Sequence, residues 1–253
     1  MSFHRAIRLS TFVLSVIAGL VGAGTASAGI VLNTPTGLHA GNTFRFVFVT
    51  KSATAATSAD IGTYDAFVRA DAGAVSYQGV AITNWLAIAS TTSVSARDHI
   101  DAVTDASFQG LFLAGTSGTK IAGSTTNASG GLWSSTILAP MNRAIDGTLV
   151  SASVWTGTSA NGNRDPFAAL GTSPNPVYGN SSSTTGTWTV SNVDPPERNN
   201  RLYAISPLLT VAVPEIDPGG AAATVALIAG SLAFFDCRFR RLRAPFQAVG
   251  KGV

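Results

Sequence analysis

The chain has a single cysteine, Cys237, so no disulfide can brace it, and that thiol lies beside arginines near the C-terminus, away from the body of the sequence. Disulfide scaffolds and thiolate catalysis in the body are excluded together. Charge is scarce as well: Asp, Glu, Lys and Arg make up 11% of the 253 residues. The formal net charge of +3 is misleading, because nine of the 16 basic and ten of the 13 acidic side chains fall between residues 29 and 212. That central region is close to neutral and has no basic footprint, which excludes nucleic-acid binding. With only 3 histidines, His4, His39 and His99, there is little material for a histidine-rich metal centre.

What is abundant is Ser, Thr, Ala, Gly and Asn, the composition of an exported, turn-rich protein. One apolar run reaches membrane length. From Gly219 to Phe235 there are 17 residues without a charge, covering roughly 25 Å as a helix, the lower limit for crossing a bilayer. Pro218 is tolerated at the first helical position. Arg238, Arg240, Arg241 and Arg243 follow and belong on the cytoplasmic side by the positive-inside rule. The alternative, a buried C-terminal core helix, would carry a polar stripe, and here only Thr224 and Ser231 interrupt the apolar surface. The start of the chain agrees: Arg5 and Arg8 precede an apolar stretch from about Phe12 to Val21, then small residues at Ala26 and Ala28, which reads as a secretory signal cleaved after Ala28. A retained N-terminal anchor is the alternative, and it too sends residue 29 onward out of the cytoplasm.

Val213, Pro214, Glu215, Ile216, Asp217 and Pro218, followed by a short apolar helix and an arginine cluster, resemble the PEP-CTERM sorting tail of exported bacterial proteins. The resemblance covers residues 213–243. It implies a membrane-embedded exosortase as processing partner and release towards the cell surface or an extracellular polysaccharide matrix. Ile216 stands where that family usually has its second proline. The expected organisation is a signal peptide over 1–28, an exported domain over 29–212, the sorting tail over 213–243 with its span at about 219–235, and a cytoplasmic tail over 244–253.

Within the body, residues 42–50 alternate Phe44, Phe46 and Phe48 against Arg45, Val47 and Val49, the period of a strand. Ile61, Tyr64, Phe67, Val68 and Ala72 recur at helical spacing, with Thr57 as N-cap, Asp60 three residues later and Gly73 as the stop, predicting a helix over 58–72. Residues 82–90 read as a buried strand. "SVSARDHIDA" reads as a shorter helix capped by Ser93 or Ser95. "GLFLAG", "KIAG", "TGTWTVSN" and "RLYAISPLLTV" are short strand candidates, and there is no internal repeat.

Ser58-Ala59-Asp60 opening the helix, Trp85-Leu86-Ala87-Ile88, Val154-Trp155-Thr156-Gly157 with Asn161-Gly162 after it, Trp188, and Leu202-Tyr203-Ala204-Ile205 resemble, in their order, the C-type-lectin-like fold in its endostatin-like variant. The resemblance spans about residues 40–210 and implies a single α+β domain, with one or two helices on a small antiparallel sheet and a long irregular region carrying the binding surface. Relatives commonly brace those loops with disulfides, which this chain cannot form.

Two loops offer hard oxygen ligands: Asn161, Asn163 and Asp165 in "NGNRD", and Asp194 and Glu197 in "DPPERNN". Calcium prefers such ligands, and the lectin-like resemblance implies calcium and sugar in this region; the same residue types are also ordinary turn formers. Trp155 and Trp188 are candidates to stack on a sugar ring, with core packing as the alternative. Asp98, His99 and Asp101 bring a histidine next to carboxylates, but no nucleophile or further metal ligand stands at usable spacing, so a solvated helix surface is expected. The functional expectation is a non-enzymatic exported surface or matrix protein that binds polysaccharide or a surface partner. A purely structural matrix component and a secreted hydrolase are the alternatives.

Overall fold

Strand β2 (Thr43–Val49) is buried on both faces along its whole length, and the rest of the domain is arranged around it. The structure, a computed structural model, describes residues 29–101, 103, 105–171 and 174–213. The expected signal segment with Ala26 and Ala28 lies outside the described residues. So do residues 214–253, which hold the sorting motif beyond Val213, the expected span and the arginine cluster. Among the described residues, no helix is long and apolar enough to cross a membrane.

In chain order the remaining elements are β1 (Ile30–Leu32), α1 (Ile61–Ala72), β3 (Val75–Tyr77), β4 (Val80–Ala81), β5 (Leu86–Ala87), α2 (Ala96–His99), β6 (Phe108–Leu113), β7 (Lys120–Ala122), β8 (Ser153–Trp155), β9 (Val177–Asn180), a 3₁₀ turn at Gly186–Trp188, β10 (Asn192–Val193), β11 (Arg201–Ile205) and β12 (Leu209–Thr210). The α+β class holds, with strands dominating. The sheet is neither small nor antiparallel throughout, and this corrects the expectation. Nine strands form the main sheet, in the order β10-β9-β8-β11-β2-β6-β7, with β12 also on β2 and β5 also on β11. The β2–β6 and β8–β11 pairs are parallel. A second sheet of three strands, β1-β3-β4, has β1 parallel to β3. Parallel neighbours require crossovers, which the long connections of this chain supply.

The alternation in β2 is real, but both sides of it are interior. Phe44, Phe46 and Phe48 join Trp85, Tyr77 and Phe112 in one core, where edge-to-face rings such as Phe48 and Trp85, 5.0 Å apart, set the packing. Val47 and Val49 face a second core with Ile88, Leu111, Trp133, Trp188 and Tyr203. Arg45, which alternation alone would send to solvent, is buried; its Nη1 donates to Ile100 O at 2.6 Å. Burial lowers the guanidinium's pKa, and the Asp101 carboxylate opposes that shift.

Helix α1 starts three residues later than the spacing predicts, because Asp60 and not Thr57 caps it: the Asp60 carboxylate accepts from Gly62 N–H at 2.9 Å. Gly73 ends it as expected. The buried stripe is Tyr64, Asp65, Val68 and Ala72, which adds a carboxylate the apolar spacing does not reveal. Tyr64 Oη donates to Ser58 O at 2.8 Å. Burial of the phenol pushes its pKa up to about 12, partly offset by the Ser58 N–H that donates back to Tyr64 Oη at 3.1 Å.

Segment 82–90 enters the ladder only at Leu86 and Ala87, then crosses from β11 towards β8 through Ile88 N–H to Tyr203 O and Ser90 N–H to Thr156 O. The stretch around Trp188 is a 3₁₀ turn and not a strand. The β3–β4 hairpin turns through Gln78 and Gly79, with φ of 49° and 78°. Left-handed φ at both central positions matches the strand twist of a two-residue turn and favours glycine at the second position.

Candidate functional site

The chain leaves β8 at Trp155 and makes a loop that Thr158 and Arg164 close as an antiparallel bridge. Asn161, Asn163 and Asp165 all lie on this loop and shape it. Asn163 N–H donates to Asn161 Oδ1 at 3.1 Å, and Asp165 Oδ1 accepts from both Phe167 N–H and Ala168 N–H at 2.9 Å. These are Asx-type turns, the work such residues do in any tight loop. The loop is fastened to the start of α2 from outside: Arg97 N–H donates to Gly162 O at 3.0 Å, Arg164 N–H to Ser95 Oγ at 3.2 Å, and Arg164 Nη1 to Thr92 O. Below it, Ser90 Oγ and Thr158 Oγ1 are 2.8 Å apart in a buried pair, and Ala96 N–H donates to Ser90 Oγ at 2.7 Å. Gly162, at φ +84°, passes directly over Trp133; a Cβ there would stand 2.6 Å from the indole.

Trp155 and Trp188 are not on the surface, and their expected stacking role on a ligand is corrected. Both are almost fully buried. Trp155 Nε1 donates to Thr54 O at 2.9 Å, and its ring meets Tyr178 edge-on. Trp188 stacks on Trp133 with centroids 5.4 Å apart, and Tyr203 Oη donates to the Trp188 carbonyl. Burial raises the Tyr203 pKa far above that of a free phenol. Trp155 belongs to the core of Phe44 and Trp188 to that of Val47, and their N–H groups do not outweigh the apolar area they bury.

Among the described residues, the aromatic presented to solvent is Phe167, 84% exposed. Its backbone is held by the Asp165 carboxylate, and exposed Asn161, Arg164 and Pro166 share its loop. Sequence reasoning missed it. The signal was the Asp165-Pro166-Phe167 turn, which fixes a ring at a loop tip instead of in a strand.

The second acid-amide loop is separate and has its own partners. Asp194 pairs with Arg198 Nη1 at 3.4 Å, Asp194 N–H donates to Pro176 O, and Glu197 is exposed. Among the described residues no group of three or more His, Cys, Asp or Glu is assembled.

His99 also departs from expectation. Asp98 is exposed beside Arg97, and Asp101 is exposed in a left-handed conformation, but the imidazole of His99 is largely buried, with Nε2 2.9 Å from Asp65 Oδ1. The partner comes from α1, 34 residues earlier. Asp65 Oδ1 also accepts Ala87 N–H at 2.8 Å, and Oδ2 lies 3.6 Å from Arg69 Nη2. One carboxylate therefore joins α1, β5 and α2. A carboxylate that orients an imidazole is half of a hydrolytic triad. Among the described residues no hydroxyl hydrogen-bonds to that ring, and the fully determined role of Asp65 is to satisfy buried donors. No protein-family model matches the chain, and no curated protein matches it.

Proposed function

We propose that this chain is an exported surface or matrix protein, delivered by its signal peptide and PEP-CTERM-like tail, that binds polysaccharide through the loop carrying Asn161, Asn163, Asp165 and Phe167. Its activity is recognition and not catalysis. The observation that carries the binding reading is the ring of Phe167, fully presented to solvent on a turn already fixed by Asp165, so that little conformational entropy is lost on contact. A flat apolar face on a loop that also exposes an amide and a guanidinium suits a pyranose ring with its hydroxyl rim. The delivery reading is supported by the limits of the described strands: β1 begins at Ile30 and β12 ends at Thr210, so cuts after Ala28 and near Glu215 would remove none of them.

Glycan-array binding by the mature protein tests the activity. Phe167→Ala is expected to weaken binding about tenfold, the loss typical of one aromatic anchor, with an unchanged melting temperature. Equal binding by the variant overturns the assignment to this loop, and no glycan bound by the native protein overturns the binding reading in favour of a purely structural matrix component. The His99–Asp65 pair favours the remaining alternative, a secreted hydrolase. In that case His99→Ala abolishes turnover that the native protein must first display.

A further inference from the structure

Val213, the last described residue, is 65% exposed, and the backbone just before it is pinned. Val211 N–H donates to Asn42 O at 2.9 Å, and Ala212 N–H to Gln78 Oε1 at 3.1 Å. The chain therefore leaves the domain at a fixed point. That point is the lip of a groove of about 390 Å³ between the β3–β4 hairpin and β12, lined by Tyr77, Val80, Ile82, Leu208 and Leu209 among others. None of its lining residues carries a charge. Val80 is 70% exposed and Leu208 41%, and β4 is the edge of its sheet. Single apolar residues on a surface call for no explanation; several sharing one uncharged groove at a chain exit do.

The tail reading places the start of the membrane span at Gly219, six residue steps beyond Val213. Extended chain covers at most about 3.5 Å per residue, so the exit point lies within roughly 20 Å of the bilayer surface. Resting on that reading, we infer that this groove is a membrane-facing surface, with Val80, Leu208 and Val213 seated at the headgroup boundary of the bilayer that the tail enters. With no charge in its lining, the groove can leave water without desolvating an ion. It has no attraction to anionic headgroups for salt to screen, so the contact depends on neither headgroup charge nor ionic strength. The patch is small, and as a free protein it would bind weakly. A short tether holds its effective concentration in the millimolar range, at which a weak contact is populated.

The test uses the full chain with Cys237→Ser and Val80→Cys, labelled with an environment-sensitive fluorophore and reconstituted in phosphatidylcholine vesicles, with and without nitroxide-labelled lipid. The same chain labelled through Thr185→Cys, on the β9–β10 connection, is the control. Emission at position 80 is expected to shift to the blue and to fall about twofold with nitroxide lipid, as for a group at the headgroup and acyl boundary, and to be unmoved by molar salt. Position 185 should do neither, and adding Leu208→Asp should reverse the shift at position 80. Flotation of the vesicles reports the tail separately. Protein that floats while position 80 stays wet and unquenched overturns the inference and leaves the tail reading standing. A blue shift without quenching by lipid also overturns it, because polypeptide then fills the groove. Protein that does not float overturns both.

Discussion

The two faces of β2 share one backbone and are covered in opposite ways. Over Phe44, Phe46 and Phe48 lies α1, a regular helix whose caps and apolar stripe are local properties of its own sequence. Over Val47 and Val49 lie Leu132, Trp133, Ile137, Met141 and Ala144, from a stretch, 124–150, with isolated bridges but no helix or strand. Such a cover has no ladder to satisfy its backbone, and no disulfide is available to replace one. Irregular backbone bonds, such as Leu132 N–H to Ser124 O and Leu138 N–H to Ile121 O, take part of that role, and side-chain hydroxyls add to it. Thr125 Oγ1 accepts Val103 N–H at 2.8 Å and donates to Asp101 O; Ser134 Oγ donates to Gly131 O; Ser181 Oγ accepts Ala152 N–H and donates to Val150 O. The Ser and Thr richness of the composition thus helps to fasten the irregular half of the core.

Three substitutions break or sharpen this contrast. The largest effect is expected on the helical side, where Asp65→Ala leaves His99, Arg69 and the Ala87 N–H without their shared acceptor. Removing one partner of a buried ionic group of this kind costs about 3 kcal/mol. At roughly 3 °C per kcal/mol for a domain of this size, thermal denaturation should show a fall of about 9 °C. On the loop side, Thr125→Val keeps the shape and removes the hydroxyl. It leaves the Val103 N–H and Asp101 carbonyl unsatisfied at a cost of about 2 kcal/mol, read from the urea midpoint. A cost near zero would show that water replaces the hydroxyl and would dissolve the contrast.

The smallest effect belongs to the Lys51–Asp146 bridge, 2.5 Å long and partly exposed. The Lys51 ammonium, ahead of the Thr148 hydrogen bonds, holds the Asp146 pKa down at about 2 against an ordinary 3.8. A depressed carboxylate pKa stabilises the fold above its unfolded value, near pH 4, and that stability is lost as pH falls through about 2. Lys51→Met should therefore lower the urea-derived stability by about 0.5 kcal/mol at pH 6, and by less as the pH is brought down towards 2.

Elements with a period of their own were legible from the residues alone: β2, α1, the β6 and β7 runs and β11. The two-residue strands β4 and β10 were not, because two residues carry no period, and β5 and β12 were read only as parts of the longer runs 82–90 and 201–211. The mixed character of the main sheet was hidden because pairing partners lie far away in sequence. Asn161, Asn163 and Asp165 were legible as loop residues because turn chemistry is local, whereas the burial of Trp155 and Trp188 and the meeting of His99 with Asp65 are decided by tertiary packing. Phe167 was passed over because an aromatic beside a proline turn has neither strand nor helix period.

The place of β11 has a consequence for timing. It lies between β8 and β2, with β5 also paired to it, yet it is among the last strands to be made. Until residues 201–205 have been synthesised, the main sheet exists only as two unjoined halves, each with an open edge and exposed apolar side chains. Closing such distant contacts is slow. A chain that stops short of residue 201 therefore keeps both halves open, and its sheet gains a centre only when β11 arrives.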